Sequence, residues 1–165
     1  VMVYRRDRFL RGGDHLPYLK NGYTAVRITE MNENFNHQHQ DVRKENGIEY
    51  GDLVQFMDFE YLRKNTALNL CNLANLAKAP PVPQQAKIEV KNLSNETSLS
   101  WKAPATGNVK GYYILMRETT SPVWQKKFFI SQNEITLPYS KDNYFFAVQS
   151  VNESGNESLM VMPSF

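Results

Sequence analysis

All three histidines of the chain, His15, His37 and His39, fall before residue 40, and the segment Asn34-Phe-Asn-His-Gln-His-Gln-Asp41 is its densest run of groups able to bind a metal. Neutral imidazole suits zinc, and carboxylates complete such sites. Taken alone, a His-x-His pair supplies one metal ligand more readily than two. The alternative is a solvent-facing polar loop. Cys71 is the single cysteine, which excludes an internal disulfide framework and a multi-cysteine zinc knot. Any metal must therefore be held by His, Asp and Glu.

The elements that would position these residues follow from periodicity. Asp14-His-Leu-Pro-Tyr-Leu19 ahead of Asn21-Gly22 predicts a short helix with an Asn/Gly stop. Thr24-Ala-Val-Arg-Ile-Thr29 is a β-branched run that predicts a strand. From Asp52, a plausible N-cap with Gln55 three residues on, Leu53, Phe56, Phe59, Leu62, Ala67, Leu70, Leu73 and Ala77 recur at helical spacing and predict a long helix to about Lys78. Pro80-Pro-Val-Pro83 then places three prolines in four residues, which stops a helix and favours extended geometry, so residues 80–84 read as a linker between two domains. One obvious strand cannot shield a long apolar helix. The first 79 residues therefore read as the end of a larger α/β sheet, with part of that domain missing.

Beyond the linker, seven runs suggest the short strands of a β-sandwich: 87–90, 97–101, 112–117, 125–130, 134–137, 144–151 and 159–162. Alternation puts Leu99 and Trp101 on one face, and Tyr144, Phe146, Val148 and Ser150 on another, and these faces should meet in the core. It also assigns Tyr112 to the core.

With 165 residues, 41% hydrophobic, 12% aromatic and 22% charged, the chain can bury a core and is far from a disordered composition. Nineteen basic against 17 acidic groups give a net charge of +2, which argues against a nucleic-acid partner. No apolar run approaches the roughly 20 residues of a membrane helix, and the first residues lack the basic-then-apolar order of a signal peptide.

Two resemblances sharpen the reading. Leu99-Ser-Trp-Lys-Ala-Pro104, Gly111-Tyr-Tyr-Ile-Leu-Met-Arg117 and Tyr144-Phe-Phe-Ala-Val-Gln-Ser-Val-Asn152 resemble the fibronectin type III pattern over residues 85–165. Ser150 stands where that family usually has a small Ala. That fold hosts many roles and names no function.

Gly12-Gly-Asp-His-Leu-Pro-Tyr-Leu19, then Gly22-Tyr-Thr-Ala-Val-Arg-Ile-Thr-Glu30, then Asn34-Phe-Asn-His-Gln-His39 resemble the last part of an M28-type zinc aminopeptidase, the likeness covering residues 4–78. The fold class implied is α+β overall, a C-terminal piece of an α/β zinc-peptidase fold joined to an all-β fibronectin type III-like sandwich. The resemblance makes His39 the zinc-ligand candidate and His37 its alternative. Asp14, His15 and Glu30 become supporting residues, with helix capping the other reading of Asp14 and a solvated carboxylate that of Glu30. Gly13 replaces the family's usual Ser, and Gln40-Asp41 replaces its Thr-Pro-x-Asp. An earlier His, a bridging Asp, a Glu-Glu pair and a further Asp have no counterpart here, so the resemblance implies a two-zinc enzyme acting on peptide substrates of which this chain is an inactive C-terminal part. It further implies a periplasmic or extracellular location. The competing reading is a non-catalytic fibronectin type III module that binds protein or glycan.

The remaining motifs carry less. Arg5-Arg6-Asp7-Arg8 with Arg11 reads as solvated surface. Cys71 reads as a small helix-packing residue. Asn92-Leu-Ser94, Asn95-Glu-Thr97, Asn152-Glu-Ser154 and Asn156-Glu-Ser158 are glycosylation-type triplets, and the sequence alone assigns them no role.

Overall fold

The structure is a computed structural model that describes residues 12–165; the Arg5–Arg11 group lies outside the described residues. The chain divides into two compact units between Leu62 and Arg63.

In the first unit, helix α1 (His15–Lys20) ends as its sequence predicts. The Tyr23 amide reaches back to the Tyr18 carbonyl at 3.0 Å and that of Gly22 to Leu19 at 3.2 Å, with Gly22 at φ +80°, the left-handed stop that glycine allows. The predicted strand at 24–29 does not form a ladder. Its β-branched residues favour extended backbone, but among the described residues no neighbouring strand takes up its amides and carbonyls. Among the described residues of this unit the one sheet is an unforeseen antiparallel hairpin, β1 (Arg43–Glu45) with β2 (Ile48–Tyr50). Asn46 and Gly47 form its turn with φ +48° and +81°, the pair that a two-residue hairpin favours. A parallel α/β layer is not seen among the described residues of this unit.

The long helix, α2, runs Phe59–Lys78, starting later than Asp52. Asp58 is the residue that caps it, its Oδ1 accepting from the Tyr61 amide at 2.9 Å; residues 54–56 form a separate 3-10 turn. Leu68, Leu70, Leu73 and Leu76 on α2 are exposed.

The second unit is mostly β. One sheet has the order β3 (Gln84–Ile88), β4 (Thr97–Lys102), β7 (Glu134–Leu137), and the other β6 (Lys126–Ile130), β5 (Gly111–Glu118), β8 (Tyr144–Val151), with every pairing antiparallel. Their inner faces close on Ala86, Leu99, Trp101, Tyr112, Ile114, Met116, Leu137, Phe146 and Val148, the alternating positions expected of a half-buried strand. The run 159–162 contributes isolated bridges instead of a strand. Val161 exchanges both backbone hydrogen bonds with Val148, while Ser164 bonds to Ala86 and Ile88 of the other sheet. On the opposite face of β5, the Lys127 ammonium lies 4.1 Å from the Tyr113 ring, and the Arg117 guanidinium lies 4.4 Å from Phe145 and 5.4 Å from Trp124, which screens those rings with cations.

Candidate functional site

In the first unit, Gly13, Asp14, His15, Val26, Arg27, Ile28 and His39 line one open cleft of about 510 Å³. Three segments build it. The entry to α1 supplies Asp14 and His15, segment 23–30 supplies its middle, and the polar loop after it supplies His39. The Asp14 side chain makes no capping hydrogen bond to α1.

The loop geometry separates the two candidate histidines. Asn34 Oδ1 accepts from the Asn36 amide at 3.1 Å and starts the 3-10 turn Phe35–His37. That turn is tied to the hairpin by the Gly51 amide, which donates to the Asn36 carbonyl at 3.0 Å. The His37 ring stacks on Phe56, with centroids 3.6 Å apart and planes 5° from parallel. His39 has φ +53°, a conformation that costs a residue with a Cβ about 1–2 kcal/mol and that recurs where a side chain is aimed for function. Glu30 is exposed and does not line the cleft. The cleft thus brings together Asp14, His15 and His39, but not His37 or Glu30. Cys71, also outside it, is exposed on α2.

Sequence reasoning missed Arg27. Its guanidinium donates to the Gly12 carbonyl at 2.8 Å and lines the cleft beside Asp14. Its signal was a single cation between the apolar Val26 and Ile28. Gly13 matters for the same reason. A Cβ there would lie 3.0 Å from Arg27 Nη1 and 3.1 Å from His15 Nδ1, so the glycine in place of the expected serine leaves room for both side chains.

The described residues do not by themselves fit a zinc ion. No three His, Cys, Asp or Glu groups among them are grouped so as to hold one, whereas a zinc site needs about three protein ligands. What the cleft offers is an imidazole, a second histidine, a carboxylate and a guanidinium around a space large enough for a small ligand group.

No protein-family model matches the chain. Among curated proteins, it is 46% identical over 164 residues to a "probable zinc metalloprotease" of Leptosphaeria maculans, covering 99% of this chain and 38% of that protein. It is 42% identical over 164 residues to one from Pyrenophora tritici-repentis, covering 99% and 34%. A Pyricularia oryzae protein of the same name is 42% identical over 169 residues, covering 99% and 34%. The chain thus spans a little over a third of the length of these curated relatives. Among solved structures, the fibronectin type III domain of human collagen alpha-1(XX) matches 53% of this chain and 85% of its own, with 17% identity and a TM-score of 0.43. A second, described as "Myokine structure", matches 52% of this chain and all of its own, with 18% identity and a TM-score of 0.40.

Proposed function

We propose that this chain is the C-terminal part of an exported zinc-dependent aminopeptidase of the M28 type, which removes N-terminal residues from peptides. Residues 1–79 complete its catalytic domain, and residues 85–165 form an appended fibronectin type III-like sandwich after the linker 80–84. The carrying observation is the identity of 46% over nearly the whole chain to a protein named a probable zinc metalloprotease. The convergence of Asp14, His15 and His39 on one cleft supports it.

In this reading His39 supplies one zinc ligand, and the other donors for the two ions come from the rest of the protein, since the residues described here cannot hold an ion alone. Zinc, when bound, would supply a Lewis acid and an activated water. This chain's own residues do the positioning. Gly51 ties the hairpin to the turn ahead of His39, His37 packs that turn on Phe56, and Arg27 holds the Gly12 carbonyl and thereby the entry to Asp14 and His15.

The competing reading, a non-catalytic module that binds protein or glycan, draws on the same lack of a complete metal site. Hydrolysis of aminoacyl-nitroanilides separates the two. The chain joined to the upstream part of its protein is expected to show chelator-sensitive turnover restored by zinc and lost with His39→Ala, and the chain alone to show none. No turnover in the joined form would remove the peptidase reading.

A further inference from the structure

We propose that Asn95 carries an N-linked oligosaccharide, and that of the four Asn-x-Ser/Thr triplets the two near Asn152 stay unmodified; this rests on the export in the function proposed above. The sequence treats the four alike, but the fold does not.

At the far triplets both carboxamides are committed. Asn152 Nδ2 donates to the Lys78 carbonyl at 3.0 Å while its Oδ1 accepts from the Asn156 amide at 2.9 Å. Asn156 Nδ2 lies 3.4 Å from Asn75 Oδ1, and the Ser158 hydroxyl is buried against the Ser150 amide. A sugar on Nδ2 of either asparagine would have to occupy space already filled by helix α2.

Asn92 and Asn95 lie in the loop between β3 and β4, and both are exposed. Among the described residues the Asn95 side chain makes no hydrogen bond, so a glycan displaces nothing. Between them Leu93 is fully exposed at 101%, an apolar side chain at a loop tip that an adjacent glycan would cover. The two asparagines are too close together for both to carry a branched oligosaccharide easily. Asn95 is favoured because its triplet ends in Thr97, whose branched Cβ restricts the hydroxyl to few rotamers; that of Asn92 ends in Ser94.

The donor is an oligosaccharide joined through pyrophosphate to a lipid carrier. Asn95 Nδ2 attacks the first sugar's C1, the Nδ2–C1 bond forms as the C1–O bond to pyrophosphate breaks, and the lipid pyrophosphate leaves with that electron pair. One Nδ2 proton passes to base. In the folded sandwich the Thr97 hydroxyl is buried and donates to the Tyr139 carbonyl at 2.6 Å, so transfer to Asn95 precedes folding; a chain modified at Asn152 or Asn156 cannot then seat those side chains against α2 and is missing from the folded, secreted protein.

The test has two arms. The full chain is directed through a eukaryotic secretory route by a supplied leader, and peptides of the folded, secreted protein are mapped after an amidase converts glycan-bearing Asn to Asp; cell fractionation locates the natural protein separately. Conversion at Asn95, absent from Asn95→Gln, with none at Asn152 or Asn156, is the expected result. An unmodified Asn95, or a glycan at Asn92, Asn152 or Asn156 in its stead, overturns the site. A natural protein confined to the cytosol overturns the export reading, and with it the native modification, while leaving the site preference measured in the first arm intact.

Discussion

The Asn152 side-chain amide donates to the Lys78 carbonyl at 3.0 Å, so a turn after the last long strand of the sandwich caps the end of helix α2, 74 residues earlier. The final carbonyls of a helix have no partner within the helix, and here one is satisfied from the sheet. Asn152→Ala is expected to lower stability by about 1 kcal/mol and to speed hydrogen exchange in the last turn of α2 while leaving exchange in β4 and β7 unchanged. Uniform acceleration across the unit would mean that the contact does not act locally.

Ser150 is fully buried, and its hydroxyl has no hydrogen-bond partner among the described residues, although its backbone is paired with Ser158. An unsatisfied buried polar group costs about 1–3 kcal/mol. Ser150→Ala removes that group with almost no change of volume and is expected to raise the unfolding free energy by about 1 kcal/mol, read from the denaturant midpoint at unchanged slope. A lower midpoint would show that the hydroxyl is satisfied in solution.

Gly111 opens β5 where no side chain fits. A Cβ there would lie 2.6 Å from both the Ile130 carbonyl oxygen and Phe129 Cζ. Gly111→Ala is expected to cost about 1–3 kcal/mol. Adding Phe129→Ala relieves the ring but not the backbone carbonyl, so the double variant should recover only part of that loss beyond the cost of Phe129→Ala itself. Full recovery would locate the conflict in the ring alone.

These sandwich positions were legible because β4 alternates, as in Thr97-Ser-Leu-Ser-Trp101, whose inward side is buried throughout, and because β5 and β8 are apolar runs bounded by turn residues. The first unit was less so. Asn46-Gly47 signals a turn, but Arg43-Lys-Glu45 and Ile48-Glu-Tyr50 are largely charged and exposed, so no alternation pointed to strands. Thr24–Thr29 has the converse problem, strand-forming residues with no described neighbour to pair with. At the cleft, residue types gave His39 and Asp14 as candidates. Their meeting depends on a loop that holds His39 at a left-handed φ of +53°, which spacing does not encode.

Burial pushes the Tyr112 hydroxyl above its ordinary pKa of 10.0, with the nearby indole N–H of Trp101 pulling the other way. The folded state therefore holds this proton more tightly than the unfolded state. Stability from this group is intact below pH 10 and declines as pH rises through 10 towards the folded-state value. Denaturant midpoints measured from about pH 8 to about pH 11 should fall for the native chain and fall less for Tyr112→Phe. Identical slopes would show that Tyr112 does not contribute.

His39 couples stability to the proposed activity with opposite signs. Its φ of +53° costs any residue bearing a Cβ about 1–2 kcal/mol, a cost that glycine avoids. His39→Ala and His39→Gly both remove the imidazole, but only glycine relaxes the backbone. His39→Gly should therefore be about 1 kcal/mol more stable than His39→Ala, while in the protein joined to its upstream part both lose nitroanilide turnover and bound zinc measured by elemental analysis. His37→Ala serves as the control. It removes the ring stacked on Phe56 and is expected to lower stability by about 1 kcal/mol while keeping most of the zinc. Retention of zinc and turnover in both His39 variants, with their loss in His37→Ala, would move the ligand to His37 and require the cleft to be rebuilt around the Phe56 stack.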